Sequence, residues 1–399
     1  MAERLRFNRM ELAGSLGDLG TLLPISIAMV LVNGLNPVGL FFSIGLFYIF
    51  TGLYFGITVP VQPMKVIGAY AVAASLSPSQ ILASSLLMAF FLLLAGMTGA
   101  IDLIKKLTPR AVIRGVQLST GALLMSGGIK FIMGTSKFQE LHQAAEPYLT
   151  VQSLGPVPIG ILIGTLGGLA TLLLLDNKKL PAGLAVILGG LAAGWILGAR
   201  LELPENGPMI HLPEIFPLPF PGKVDFSFAL FALVLPQVPM TLGNAALAYT
   251  DLSREYFKEN SSKVSNRRVC ISMALGNILS FVLGGMPMCH GAGGLAAHYR
   301  FGARTAGSNL MIGLVFLGLT LGLGDGILSF FNLLPMSILG ILLVFAGAQL
   351  ALAVMDLETR KEFFVAALIL GITLASNLAV GFITGMVVAQ LLKWKKLSV

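Results

Sequence analysis

The chain has 399 residues, of which 56% are hydrophobic and 11% charged. That balance excludes a soluble domain of this length and points to a polytopic membrane protein. A net charge of +8 would suit nucleic acid, but the lysines and arginines cluster between apolar runs, as in a positive-inside membrane protein.

Met1 to Asn8 is a short basic tail that enters the first apolar stretch without the pattern of a signal peptide. Apolar segments follow at roughly 10–32, 38–57, 58–74, 79–101, 110–133, 155–175 and 181–198. The second half repeats the count, at roughly 225–249, 266–285, 286–299, 306–323, 335–354, 361–375 and 377–394. Seven per half forces the second half into the opposite orientation. The predicted fold is therefore an all-α polytopic membrane protein of 14 transmembrane segments, built as a 7+7 inverted repeat over 1–223 and 224–399. With both termini cytoplasmic, the basic stretches Lys105-Lys106 to Arg110, Lys178-Lys179, Arg254 to Arg268, Arg300 to Arg304 and Lys393 to Lys396 fall inside, and Glu202, Glu205 and Glu214 outside. A twelve-segment alternative, with two proline-rich stretches as loops, moves the basic loops at 105–110 and 178–179 outside. The expected location is an integral, multi-pass membrane setting (the cell membrane in a prokaryote), with no soluble domain after the last segment. Cys270 and Cys289 give no disulfide framework and are expected at different depths.

Two segments are built differently. In Thr58-Val59-Pro60-Val61-Gln62-Pro63-Met64-Lys65 the prolines forbid helix up to Pro63, leaving Met64 to Ala74 as a short helix. In Gly284 to His298, a helix opened by Pro287 would be about 18 Å long. A hydrocarbon core is roughly 30 Å thick. The Pro-Met dipeptide recurs 224 residues apart, at 63–64 and 287–288, and Pro109 and Pro335 open longer segments 226 residues apart. Interrupted segments in matching places of two halves mark a transporter built from repeats. A half-helix that starts near the midplane must aim its unpaired N–H groups at a partner, since lipid offers none. Two such ends favour an anion.

Lys65 sits at the second helical turn boundary of the first half-helix, in a segment with no other charge, and an intramembrane lysine is functional by default. Its structural alternative is an ion pair with Asp18, the acid of Gly17-Asp18-Leu19-Gly20-Thr21; Asp18 itself is open between proton carrier, helix-break cap and lysine partner. Gln62, Pro63 and Met64 flank the first helix start. Cys289, His290, Gly291 and Ala292 open the second and are expected to touch ligand, with Gly293 and Gly294 in helix contacts. In the eighth segment Pro236 and Pro239 are expected to break the helix, and Gln237 and Asn244 to offer amide donors to an oxyanion. Gly20, Thr21 and Asn244 are secondary candidates. Cys289-His290 alone is too sparse for zinc. No Walker loop, nucleophile elbow or pair of catalytic carboxylates occurs, so no enzyme activity, metal or cofactor is expected.

Pro60-Val61-Gln62-Pro63-Met64-Lys65, and Met286 to Ala296 continuing through Tyr299-Arg300-Phe301-Gly302-Ala303-Arg304, resemble the two signatures of the molybdate transporter family, a branch of the sulfate permease superfamily. Gly17 to Thr21 and Leu235-Pro236-Gln237-Val238-Pro239 are similar to its first- and eighth-span motifs. The resemblance covers essentially the whole chain. It implies the fourteen-segment fold shared with uracil permeases, with a core (segments 1–4 and 8–11) carrying substrate against a gate (5–7 and 12–14). It also implies a branch without the cytoplasmic STAS domain of most sulfate permeases. His298 stands where the family pattern has glutamine, and is expected with Tyr299, Arg300 and Arg304 as an anchor at the cytoplasmic end. The function implied is secondary active transport of a tetrahedral oxyanion by alternating access, molybdate before sulfate, with the anion between the two half-helix N-termini. Molybdate, sulfate or tungstate, the lipid bilayer and a second copy of the chain as a homodimer are the expected partners; nucleic acid is not. Asp18 and His290 are both open as coupling groups. A nucleobase permease of the same fold would want carboxylate acceptors that segments eight and ten lack. An anion channel or a membrane sensor would use the same dipole-lined site.

Overall fold

The computed structural model describes residues 5–99, 101, 108–177, 180–201 and 210–394. The loop charges Lys105, Lys106, Lys178, Lys179, Glu202, Glu205, Lys395 and Lys396 lie outside the described residues. The first segment is two helices, α1 (Arg9–Ser15) and α2 (Leu19–Leu31), which meet at 46°. The bend falls at Leu16-Gly17-Asp18, where a Cβ on Gly17 would stand 2.8 Å from the Phe301 ring and 3.0 Å from the Ala297 carbonyl. Asp18 takes the N-cap position of α2 without capping it through its side chain.

Helix starts and stops then follow local chemistry. α3 (Pro37–Phe55) opens with an Asn36 cap and ends at Gly56 with φ 76°. After a two-residue strand, β1 (Gln62–Pro63), comes the short α4 (Lys65–Ala74). α5 (Pro78–Thr98) starts from a Ser77–Gln80 capping box and stops at Gly99 with φ 72°. Proline at the first position and left-handed glycine after the last turn are the usual helix boundaries. α6 (Arg110–Met133), α7 (Lys137–Leu141), α8 (Ile159–Leu174) and α9 (Ala182–Ile196) complete this half.

The second half opens with one long helix, α10 (Lys223–Ser261). The break expected at Pro236 and Pro239 is absent. π-helical turns at Ala229–Val234 and Thr241–Ala248 flank the prolines and absorb their missing hydrogen bonds, so the helix runs on. Next come α11 (Asn266–Leu283), the strand β2 (Met288–Cys289) and α12 (Ala292–Phe301). After them run α13 (Ala306–Leu323), α14 (Gly326–Asn332), α15 (Met336–Leu352), α16 (Arg360–Ala375) and α17 (Leu378–Leu391). Each of the fourteen apolar stretches thus holds a helix. By length and apolarity six helices among the described residues could cross a membrane, or seven with the bent α1–α2 pair counted as one span. Large apolar side chains such as Leu166, Leu173, Trp195, Ile196 and Phe90 lie exposed, as a lipid-facing surface requires.

The helices pack in two groups. α3 lies against α13 and α5 against α11; α6 lies against α15, flanked by α8, α16 and α17. The α6–α15 crossing is close: a Cβ on Gly121 would meet the Gly347 carbonyl at 2.5 Å, and one on Gly347 the Gly121 carbonyl at the same distance. The contact is reciprocal at the helix starts too. Glu146, in the loop between α7 and α8, accepts the N–H groups of Met336 (2.7 Å) and Ser337 (2.9 Å) at the start of α15. Burial pushes the Glu146 carboxyl above its ordinary range, and these hydrogen bonds pull it back. Asp356, after α15, ion-pairs with Arg110 and Arg114 in the first turns of α6.

Between the groups, the short helices are tied together by their strands. β1 and β2 pair antiparallel, Gln62 with Cys289 and Pro63 with Met288, and Met64 N–H donates to the Pro287 carbonyl at 2.9 Å. Asn277 of α11 holds Met288 from both sides, donating to its carbonyl (2.8 Å) and accepting its N–H (3.1 Å). This ladder corrects the expected start of the second half-helix. Residues 287–289 serve as backbone partners for β1, so α12 begins at Ala292 and is about 15 Å long.

Candidate functional site

Two adjoining chambers, of about 180 and about 340 Å³, lie beside the short-helix ends and share Thr21, Lys65, Gly293, Ala346 and Gln349 in their walls. The smaller is also walled by Asn244 of α10 and Gln117 of α6. Asp18, Gly20, Gln62 and Arg300 face the larger. Arg300 also donates to the Asp176 carbonyl at 2.9 Å, which ties α12 to the loop between α8 and α9. The smaller chamber therefore lies where α2, α4 and α12 face the α6–α15 pair, and the larger where they face α15 and the ends of α8 and α9.

Lys65 is half-buried, and among the described residues it forms neither an ion pair nor a hydrogen bond. The direct pair with Asp18 considered from sequence is not made. Both Asp18 oxygens instead accept from Gln62 Nε2, at 2.9 and 2.7 Å, and the Lys65 charge acts on Asp18 from farther away. The lysine is left with its donors facing the chambers.

The two helix starts are unequal. At α4, Gln237 Oε1 accepts from the Val66 N–H (2.9 Å) and the Ile67 N–H (3.3 Å), while its Nε2 donates to Thr241 Oγ1 (2.7 Å). Gln237 is 1% exposed and both ends of its amide are engaged, so it caps α4 rather than offering donors to a ligand. At α12 no side chain caps the helix. Leu295 N–H is the first to reach a carbonyl, that of Gly291 at 3.0 Å; among the described residues the N–H groups of Ala292, Gly293 and Gly294 have no acceptor.

The glycines at this end divide differently from expectation. A Cβ on Gly291 would lie 1.8 Å from Gln62 Oε1, and one on Gly294 2.5 Å from Asp18 Oδ2. A Cβ on Gly293 meets nothing within 4 Å. Gly291 and Gly294 are thus the close-contact positions, and Gly293 is the chamber wall. On a helix of 3.6 residues per turn, neighbours point to different sides.

Cys289, Pro63 and Met64 are buried in the cross-strand ladder or next to it and face neither chamber. His290 is fully buried, with Nε2 2.8 Å from Ser272 Oγ, Nδ1 2.9 Å from the Pro60 carbonyl and its ring stacked on Phe47. Those bonds anchor β2 and leave His290 no access to a ligand. His298 is 0% exposed and pairs with Thr58 Oγ1 at 2.8 Å. Cys270 and Cys289 are both free, buried thiols. Sequence reasoning passed over Gln117 and Gln349. Each is an amide inside an apolar helix, the same signal that drew attention to Gln237.

Comparison with known proteins agrees with this architecture. Residues 10–124 and 229–350 match the family described as molybdate transporters of the MFS superfamily. Molybdate transporter 2 of Arabidopsis thaliana is 32% identical to this chain, over 97% of it and 88% of the relative. The chain belongs to the molybdate transporter family. Molybdate transporter 1 of Chlamydomonas reinhardtii, another relative, is 30% identical over 94% of this chain and 90% of its own length. Such relatives are transporters, and the chain is not an enzyme. Among solved structures, the transmembrane domain of the cyanobacterial bicarbonate transporter BicA superposes with a TM-score of 0.65 at 16% identity, covering 97% of this chain and 98% of that one. Murine Slc26a9, an anion transporter captured inward-facing, gives 0.65 at 14% identity, over 96% of this chain and 68% of the other. At such identities the likeness concerns the fold: this member of the family has the helical fold of those transporters.

Proposed function

We propose that the chain is a secondary active transporter of a tetrahedral oxyanion, molybdate first, bound in the chambers between Lys65 and the start of α12. One observation carries this. An ammonium unpaired among the described residues and an uncapped helix N-terminus border the same chamber, and a multiply charged anion satisfies both at once. The names of the relatives favour molybdate. Tungstate and sulfate carry the same charge on the same geometry and should compete, tungstate more strongly.

Transport proceeds by alternating access, with the half-helix layer, segments 1–4 and 8–11, moving as a core against a gate of segments 5–7 and 12–14. All fourteen segments span the bilayer, both termini lie in the cytoplasm and the repeats divide near residue 223. Asp18 in the same chamber adds a negative charge that opposes a dianion. A proton taken up by Asp18 as the anion binds removes that opposition and couples the two fluxes.

The test is uptake of labelled molybdate into liposomes containing the purified protein, with tungstate, sulfate and uracil as competitors. Saturable uptake that is blocked by tungstate, weakly by sulfate and not by uracil, and is lost in Lys65→Ala, is the expected result. Block by uracil alone, or normal uptake by the variant, would sink the proposal.

A further inference from the structure

Across the smaller chamber from Lys65, one side chain of the α6–α15 pair is held in an unusual way. Gln117 of α6 is 6% exposed, and its Oε1 accepts from Arg114 Nη1 at 2.7 Å. Arg114 is itself fixed. Its Nε donates to Asp356 Oδ1 (2.8 Å) and Oδ2 (2.9 Å), and its Nη2 also bonds Asp356 Oδ2. Arg110, 3.0 Å from the same carboxylate, helps to neutralise it. A guanidinium has only donors, so the Gln117 amide must turn its oxygen towards Arg114 and its NH₂ away. Among the described residues that NH₂ has no acceptor, although Gln117 lines the chamber that holds Lys65 and Gly293. A largely buried amide whose NH₂ opens on the chamber, and whose orientation is dictated by an arginine, is placed to donate to an acceptor held there.

We infer that Gln117 is a ligand of the transported oxyanion contributed by the α6–α15 layer, and that Arg114, clamped by Asp356, is a positioning residue that keeps its donors turned inward. This rests on the oxyanion proposal above and adds a contact from the facing layer. Lys65 and the α12 N–H groups hold the anion from one side, and Gln117 donates from the other. An anion in the chamber therefore bridges the two layers that alternating access moves past each other. In an empty chamber those donors have no such bridge.

Gln117→Glu separates this role from a merely structural one. Glutamate keeps the shape and still accepts from Arg114, so a residue needed only to hold Arg114 would tolerate it. As a ligand it loses both N–H donors and gains a repelling charge. In the liposome uptake assay, the expected outcome is a KM for molybdate raised roughly tenfold or more, with an unchanged melting temperature. Gln117→Ala should raise KM by a similar or smaller factor. Arg114→Ala should raise KM less, and should have no further effect in the Gln117→Ala background, because its role runs through Gln117. If Gln117→Ala does not fold, the glutamate variant alone decides. A wild-type KM in Gln117→Glu, or an Arg114→Ala effect that persists undiminished without Gln117, would overturn the inference while leaving the Lys65 site intact. Absence of Lys65-dependent uptake by the wild-type protein would overturn the oxyanion proposal and this inference with it.

Discussion

At the start of α4 the N–H groups of Val66 and Ile67 are bonded to Gln237, whereas at the start of α12 those of Ala292, Gly293 and Gly294 meet no acceptor among the described residues. The two short helices descend from the same plan, a proline-rich strand followed by about ten helical residues, and their strands pair with each other. They nonetheless bring different things to the chamber. α4 brings the Lys65 ammonium, because its backbone end is closed by an amide from α10. α12 brings backbone donors, because glycines at 291, 293 and 294 leave no side chain to close its end. An anion held this way meets a mobile point charge on one side and fixed, directional donors on the other. The likeness of the two short helices therefore does not carry over to what each presents to the chamber.

The largest expected effect breaks the α4 side. Lys65→Gln keeps a polar donor of similar length but removes the charge, and should raise the KM for molybdate roughly 10- to 150-fold, the equivalent of a hydrogen bond to a charged group. An unchanged KM would remove the Lys65 charge from the account of binding and sink the oxyanion proposal. Next comes Gly294→Ala, which drives a methyl group to 2.5 Å from Asp18 Oδ2. It should cost about 1–3 kcal/mol of stability, read as a lower melting temperature, because the Asp18–Gln62 pair has to move. Gln237→Ala uncaps α4 and leaves two buried N–H groups without an acceptor, at about 1–3 kcal/mol, while Gln237→Glu, still an acceptor, should lose less. Equal melting temperatures for both variants would mean that the cap matters little. Gly293→Ala is the smallest change. Its methyl enters open space, so melting should hold while KM rises only a few-fold, by less than about 1.4 kcal/mol. The contrast between Gly293 and Gly294, adjacent in sequence, sharpens the comparison most.

Much of this was legible in the sequence. Each of the fourteen apolar stretches holds a helix, Pro60 and Pro63 delay the start of α4, and Lys65 stands out as a charge in an apolar run. What escaped was set by partners far along the chain. Met288-Cys289 reads as helix by local propensity, but a strand more than 220 residues earlier claims its backbone. Pro236 and Pro239 read as a break, yet π turns on either side carry the helix through them. Gln237 looks like a ligand until the start of α4 is found against it. The exchange of roles between Gly291 and Gly293 depends on the rotation of α12 about its axis, which composition does not encode. His290 and His298, polar and near the site in sequence, are drawn into buried hydrogen bonds by Ser272, Pro60 and Thr58.

The most direct test of the unequal site is to locate tungstate in the protein by the anomalous scattering of its metal. The account predicts one peak in the chamber, with its oxygens within hydrogen-bond reach of Lys65 Nζ and of the N–H groups at Gly293 and Gly294, and with Gln237 still bonded to Val66 and Ile67. A peak seated at the start of α4 with Gln237 displaced, or tungstate bound outside the chamber in a protein that transports it, would contradict that account.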